Sequence, residues 1–107
     1  MNYLKEHIVG LKVASAKKFN ESLMVIFASG QSLNVINPYS ISDQNLTELV
    51  GTTVESVDDD PSQFSIVFSS GTMLKIGIGA EDYVNGPEAF VFTTPGGPIM
   101  VQRLGDV

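Results

Sequence analysis

The sequence predicts a mainly β fold, an antiparallel sandwich or a partly closed barrel with a short connecting helix, and three observations predict it. Apolar and polar residues alternate over several short runs, which is the pattern of half-buried strands. Two Ser-Gly pairs, Ser29-Gly30 and Ser70-Gly71, separate such runs and indicate tight hairpins, because glycine reaches positive φ without steric cost. The segment 8–36 resembles a second segment, 49–77, as an internal duplication would.

The duplication is read without a gap. Identical residues coincide at the glycines and at several apolar positions: Gly10 with Gly51, Val13 with Val54, Phe27 with Phe68, Gly30 with Gly71, and Leu33 with Leu74. Each copy is expected to contribute three strands, and a further hairpin at 89–103 has no counterpart in the first copy. The eight strands so predicted are 11–16, 22–28, 31–36, 52–58, 63–69, 72–78, 89–93 and 99–103.

The connections follow from residues that interrupt alternation. Residues 2–7 are expected to form one helical turn, and the polar run 17–21 is expected to break the first strand. Pro38 should take the chain out of the sheet, since proline donates no ladder hydrogen bond. A short helix is expected over 42–49, with Ser42 or Asp43 as its N-cap, connecting the two copies.

Composition narrows the class of protein. With 107 residues, 43% of them hydrophobic, the chain is expected to form a single domain with its own core. It contains no cysteine, which excludes disulfides and thiolate metal sites. We see no signal peptide and no run of eighteen apolar residues, so the expected location is cytoplasmic and no membrane association is predicted.

Two acidic segments are the candidate sites. Asp58, Asp59 and Asp60 precede Pro61, and we interpret them as a solvated hairpin tip because calcium loops place carboxylates at alternating positions. The second segment, 81–88, surrounds Tyr83 with carboxylates in a stretch rich in glycine, proline and asparagine. It suits a binding loop, in which Tyr83 supplies contact area, or a plain connection with Tyr83 tucked into the core.

Catalysis has little support in the sequence. The single histidine, His7, has no cysteine or second histidine to act with, and no nucleophile motif or phosphate-binding loop is present. We therefore expect no enzyme activity, no cofactor and no metal.

Charge is distributed unevenly along the chain. Residues 1–41 contain four lysines and two glutamates, whereas residues 42–107 contain ten acidic residues against Lys75 and Arg103, within an overall net charge of −6. Nucleic acid is disfavoured as a partner because phosphate binding requires clustered basic residues, and the whole chain has six. An acidic second half favours a partner with a basic surface.

The repeated pattern of Val9-Gly10-x-x-Val13 followed by alternation from Leu23 to Val35 resembles small bacterial β proteins of uncharacterised families. Some similar proteins act as immunity proteins in toxin systems. The resemblance implies a small, acidic, cytoplasmic protein that binds a toxin domain, commonly a basic nuclease. It carries over no site residue.

The sequence thus supports one leading hypothesis and two alternatives. The leading hypothesis is a non-catalytic binding protein that neutralises a basic partner, and the most specific version of this hypothesis is an immunity protein. The residues expected to carry partner binding are acidic apart from one tyrosine: Asp58, Asp59, Asp60, Glu81, Asp82, Tyr83 and Glu88. The first alternative is a structural or self-associating module, a homodimer, that pairs Lys17-Lys18 with Asp58-Asp59. The second is a small-ligand binder at the mouth of the sheets.

Overall fold

The computed structural model describes residues 3–20, 22–42, 46–84, 86–96 and 99–103. One short α-helix, two 3₁₀ helices and nine strands lie within these ranges. In chain order they are α1 (Tyr3–Ile8), β1 (Val13–Phe19), β2 (Ser22–Phe27), β3 (Ser32–Val35), β4 (Tyr39–Ile41), η1 (Leu46–Leu49), β5 (Val54–Asp59), β6 (Gln63–Phe68), β7 (Met73–Gly77), η2 (Ala80–Asp82), β8 (Glu88–Thr93) and β9 (Ile99–Arg103).

The strands form two antiparallel sheets. One has the order β1-β2-β3-β8-β9 and the other has the order β4-β7-β6-β5. The mainly β class is therefore confirmed, and the described strands do not form a closed barrel. No helix within the described ranges combines the length and the apolar character that crossing a membrane would require.

Both hairpins predicted from the Ser-Gly pairs are present. Gly30 and Gly71 adopt φ of 100° and 89°, the left-handed region that glycine enters at little cost. In the first hairpin the Phe27 N–H donates to the Gln31 carbonyl at 2.9 Å, and in the second the Phe68 N–H donates to the Thr72 carbonyl at the same distance. The turn residues alone were sufficient to place β2 against β3 and β6 against β7.

The first strand of each segment was predicted incorrectly at its ends. β1 runs through Lys17 and Lys18, which were predicted to break the strand, and β5 extends to Asp59, one residue beyond the predicted strand end at Asp58. Both strands have an exposed outer face along which charged side chains are compatible with ladder hydrogen bonds. Polar composition therefore did not mark the strand ends.

The strand that follows Pro38 was also unforeseen. β4 leaves the sheet that contains β3 and pairs with β7, with Tyr39 opposite Ile76. Conversely, β8 follows β7 along the chain but pairs with β3 in the other sheet, with Phe90 opposite Val35. β8 thus lies beside β3 as β4 lies beside β7, but β4 is at the edge of its sheet, whereas β8 also pairs with β9. Gly97 and Pro98, predicted for the β8–β9 turn, lie outside the described residues.

The two sheets are joined where β1 and β5 begin. Lys12 and Thr53 form a single antiparallel bridge. Around it the Gly10 N–H donates to the Val54 carbonyl and the Gly51 N–H donates to the Val13 carbonyl, both at 2.8 Å. The strands then diverge in opposite directions from this crossing.

The core lies between the sheets. Its largest side chains are five fully buried phenylalanines, and buried residues from both sheets form one cluster. Phe64 of β6 and Phe90 of β8 meet across the sheets with their ring centroids 4.9 Å apart. The two sheets are thus held together by apolar burial between their inner faces.

Of the predicted connecting helix 42–49, the structure describes residues 42 and 46–49. Leu46–Leu49 form a 3₁₀ turn whose Leu49 is buried, and the Thr52 hydroxyl donates to the Leu49 carbonyl at 2.7 Å. Ser42 is not its cap, because its hydroxyl instead accepts from the Met73 N–H at 2.8 Å. Asp43, the other predicted cap, lies outside the described residues.

Candidate functional site

The first acidic segment begins on a strand and ends in a turn. Asp58 is exposed on β5 opposite Ser65, and Asp59 follows it opposite Phe64, although the side chain of Asp59 lies outside the described residues. Asp60 stands at the exposed tip between β5 and β6. The three consecutive aspartates are therefore distributed between two kinds of local structure.

Asp60 closes this turn with its side chain. Its Oδ1 accepts hydrogen bonds from the Ser62 N–H and the Gln63 N–H, both at 2.9 Å, and from the Ser62 hydroxyl at 3.0 Å. These donors, those of Ser62 above all, stabilise the ionised form and lower the pKa of Asp60 below its ordinary value of 3.8. Asp60 therefore has a structural role as well as a negative charge.

The second acidic segment forms a compact turn at η2. The Gly79 N–H donates to Asp82 Oδ2 at 3.2 Å, and the Asp82 N–H donates back to the Gly79 carbonyl at 2.9 Å. A Cβ on Gly77 would lie 2.5 Å from the Asp82 carboxylate, and one on Gly79 would lie 2.8 Å from a Glu81 carboxylate oxygen. The absence of side chains at these glycines is what lets both carboxylates lie over the end of β7.

The fold brings the two acidic segments together. The Ile78 N–H donates to the Ser62 carbonyl at 3.0 Å, and Gln63 lies opposite Gly77 in the β6–β7 ladder. The Asp60 turn and the η2 turn therefore lie side by side at one end of the four-stranded sheet. We call this surface the acidic end and define it by its four members with described side chains: Asp58, Asp60, Glu81 and Asp82.

The two other predicted site residues lie elsewhere. Tyr83 is half-buried and packs against the core, which matches the alternative considered for it in the sequence. Glu88 begins β8 in the five-stranded sheet and is half-buried, with Arg103 opposite it on β9. Neither residue belongs to the acidic end.

The acidic end has one cation nearby on the same sheet. Asp58, Ser65 and Lys75 occupy one row across β5, β6 and β7, so the exposed Lys75 lies two strands away from Asp58. Strands are about 4.8 Å apart, which places Lys75 within about a Debye length of Asp58. The negative field is therefore strongest at the two turns and weaker along the strands.

The sequence predicted, as an alternative, a small-ligand site at the mouth of the sheets but named no residue for it. A groove of about 560 Å³ opens between the sheets near the β3–β4 corner, and we call it the mouth groove. Its lining is mainly apolar: Lys18, Asn20, Ile36, Pro38, Tyr39, Ile41 and Val84. Alternation in β1 could not have located it, because strict period-two counting from the buried Val13 puts Lys17 on the inner face. The β-bulge between Val13 and Ser15 reverses the alternation, so that Lys18 lies opposite the buried Leu23.

Comparisons with known proteins returned no relative. No protein-family model matches the chain, no curated protein matches it, and no solved structure matches it. Within the described ranges no three histidine, cysteine, aspartate or glutamate side chains cluster as a metal ion would require.

Proposed function

We propose that this chain is a non-catalytic binding protein whose acidic end engages a partner with a basic surface. The observation that carries the proposal is the hydrogen bond from the Ile78 N–H to the Ser62 carbonyl, which holds the two acidic turns side by side. The carboxylates of Asp60 and Asp82 are held by hydrogen bonds within their turns and need little ordering on binding, so charge complementarity contributes more of its energy to affinity.

The sharpest form of the proposal is an immunity protein that neutralises a basic toxin domain. It rests on the resemblance to small bacterial β proteins together with the acidic end. A rigid acidic patch suits this task because it steers a basic partner into contact and speeds association. The same field repels nucleic acid and so discriminates against the polyanion that a basic nuclease would bind.

The test reverses charge at the acidic end without removing its turn caps. Asp58→Lys with Glu81→Lys changes two exposed carboxylates and leaves Asp60 and Asp82 in place. The matched control, Glu6→Lys with Glu48→Lys, makes the same change in net charge at exposed positions on α1 and η1. Each tagged protein is used to capture partners from a lysate of the source organism at low and moderate salt, and affinity is then measured by calorimetry.

We expect the wild type and the control variant to retain one basic protein and the acidic-end variant to bind it at least about tenfold more weakly. Equal binding by all three proteins would show that the acidic end is not the contact surface. An eluate that contains only this chain would count against a basic partner altogether.

One observation favours self-association as a second candidate. β1 and β5 run in opposite directions from the antiparallel Lys12–Thr53 bridge, so Lys18 and Asp58 lie on opposite sides of the crossing. Two copies would be needed to bring these segments together. Light scattering over a salt series tests this candidate, because a dimer held by these charges should dissociate as salt rises.

For the architecture we propose a sandwich of two related halves. The reciprocal hydrogen bonds of Gly10 and Gly51 around the Lys12–Thr53 bridge support it, as do β-bulges between Val13 and Ser15 and between Val54 and Ser56. The acidic η2 turn lies in the longer connection, 78–87, that distinguishes the second half from the short 36–38 connection of the first. Acquiring this connection would have converted one half into the acidic end.

A further inference from the structure

The mouth groove is a second surface, distinct from the acidic end and independent of the function proposed for it. It lies where the inner faces of the two sheets separate, between the end of β1 and the strand β4. Tyr39 and Ile41 enter it from β4, since both lie opposite buried residues of β7 and so share the inner face. Its volume of about 560 Å³ is within the range of small-molecule sites.

The groove is preformed because its corner is anchored. Asn37 is fully buried between two lining residues, Ile36 and Pro38. Its Nδ2 donates to the Gly77 carbonyl at 2.8 Å, and its backbone N–H donates to the Ala89 carbonyl at 2.9 Å. The corner is therefore tied to both sheets, and a ligand would not need to organise it.

Lys18 gives the groove a charge preference. In the β1–β2 ladder Lys18 lies opposite the buried Leu23, whereas Lys17 lies opposite the half-buried Met24. Alternation thus directs Lys18 to the inner face at the mouth and Lys17 to the outer face. Among the described lining residues, Lys18 is the only one with a basic or acidic side chain.

Tyr39 supplies a second polar group. Partial burial raises the pKa of its hydroxyl, so the hydroxyl stays protonated at neutral pH and can donate a hydrogen bond. Asn20 adds an amide to the lining, the other described lining residues are aliphatic, and Val84 stands 70% exposed at the rim. One cation and neutral hydrogen-bond donors beside an aliphatic surface are complementary to an anion that carries an apolar body.

In the other half, the corner that corresponds to the mouth groove lies at the end of β7 and is occupied by carboxylates of η2. Gln63 lies opposite Gly77 at the end of the β6–β7 ladder, where the carboxylates of η2 fold back over Gly77 and Gly79. The mouth groove has Ile36 and Pro38 at its corner, and its described lining contains no acidic side chain. At the end of β7 the carboxylates belong to the chain itself, whereas at the mouth groove a carboxylate would have to be supplied by a ligand.

We infer that the mouth groove binds a small apolar carboxylate, with the carboxylate paired to the Lys18 ammonium and hydrogen-bonded to the Tyr39 hydroxyl. The apolar body of the ligand lies against Ile36, Pro38 and Ile41. A short aryl-alkyl carboxylic acid matches the size of the groove and this arrangement of groups.

The test uses three probes of one shape and different charge: 4-phenylbutyrate, its uncharged amide and 4-phenylbutylamine. Each is titrated into the ¹⁵N-labelled chain at pH 7 and followed by amide chemical shifts. We expect saturable shifts confined to residues around the groove, with the carboxylate binding about five- to tenfold more tightly than the amide and the amine binding more weakly than both.

Variants separate the role of Lys18 from general charge. Lys18→Met keeps the aliphatic stem and removes the ammonium, while Lys17→Met makes the same change on the outer face. We expect Lys18→Met to bind the carboxylate only as well as the amide and Lys17→Met to bind it as the wild type does. Absence of saturable shifts, shifts mapped to another surface, or equal affinity for carboxylate and amide would each overturn the inference, as would identical behaviour of the two variants.

Discussion

Phe90→Leu tests whether the two sheets are held together as the structure describes. Phe90 is fully buried on β8, and its ring meets that of Phe64 from the other sheet at 4.9 Å between centroids. Truncating a buried phenylalanine to alanine costs about 3–5 kcal/mol, and leucine retains about half of the atoms that alanine would delete. We therefore expect Phe90→Leu to lower the free energy of unfolding by about 2 kcal/mol, which corresponds to a fall in Tm of roughly 10 °C for a domain of this size.

Urea unfolding followed by far-UV circular dichroism measures this loss, and a double-mutant cycle isolates the contact. Phe64→Leu alone should cost a similar amount, and the double variant should cost about 0.5–1.5 kcal/mol less than the two single changes together, since the ring–ring contact is lost only once. Phe19→Leu is the control, because Phe19 is 56% exposed and its change should cost less than about 0.5 kcal/mol. Strict additivity at Phe64 and Phe90, or a loss no larger than that of Phe19→Leu, would refute the packing of one sheet on the other.

Three further predictions concern turns and polar groups. Gly71→Ala should lower the free energy of unfolding by about 1–2 kcal/mol because of its φ of 89° alone. Gly30→Ala should lower it further, because a Cβ there would lie 2.8 Å from Pro95 Cγ. Equal urea midpoints for the two variants would contradict this. Since hydrogen bonds lower the pKa of Asp60 in the folded state, its stabilising contribution is present above the unfolded pKa of about 4 and is lost as pH falls through the folded value. The urea midpoint of the wild type should therefore fall more steeply with acid than that of Asp60→Asn, and parallel pH profiles would exclude this role. Asn37→Asp places a carboxylate at a fully buried site and should lower the free energy of unfolding by at least about 3 kcal/mol at pH 7, which is more than Asn37→Ala should lower it. The loss should shrink in acid, because burial raises the pKa of the new carboxyl and the protonated form predominates. A loss that does not depend on pH would be inconsistent with burial of this side chain.

The members of the acidic end were predicted from the sequence together with two residues that lie elsewhere. The sequence identified both acidic segments, and the structure places Asp60 and Asp82 in neighbouring turns. The site predicted from the sequence also included Tyr83, which packs against the core, and Glu88, which lies in the other sheet. Nearness along the chain grouped Glu88 with Glu81, whereas the fold separates them because β8 crosses to the opposite sheet.

What the sequence by itself determined is local. Period-two alternation and the two Ser-Gly pairs were enough to predict the β class and the β2–β3 and β6–β7 hairpins, because turn conformation and strand pattern depend on a few neighbouring residues. The repeat also aligned Gly10 with Gly51, and both prove to have positive φ.

Only the tertiary structure decided which sheet each strand joins. Nothing within Tyr39–Ile41 or Glu88–Thr93 specifies a partner, because any strand edge offers the same backbone donors and acceptors. Burial of both inner faces in one core selects the crossed arrangement, and that arrangement opens the mouth groove, which the exposed Lys18 lines. Both candidate surfaces exist because segments distant in sequence are brought together, and the free energy that favours this comes from burying apolar surface common to both sheets.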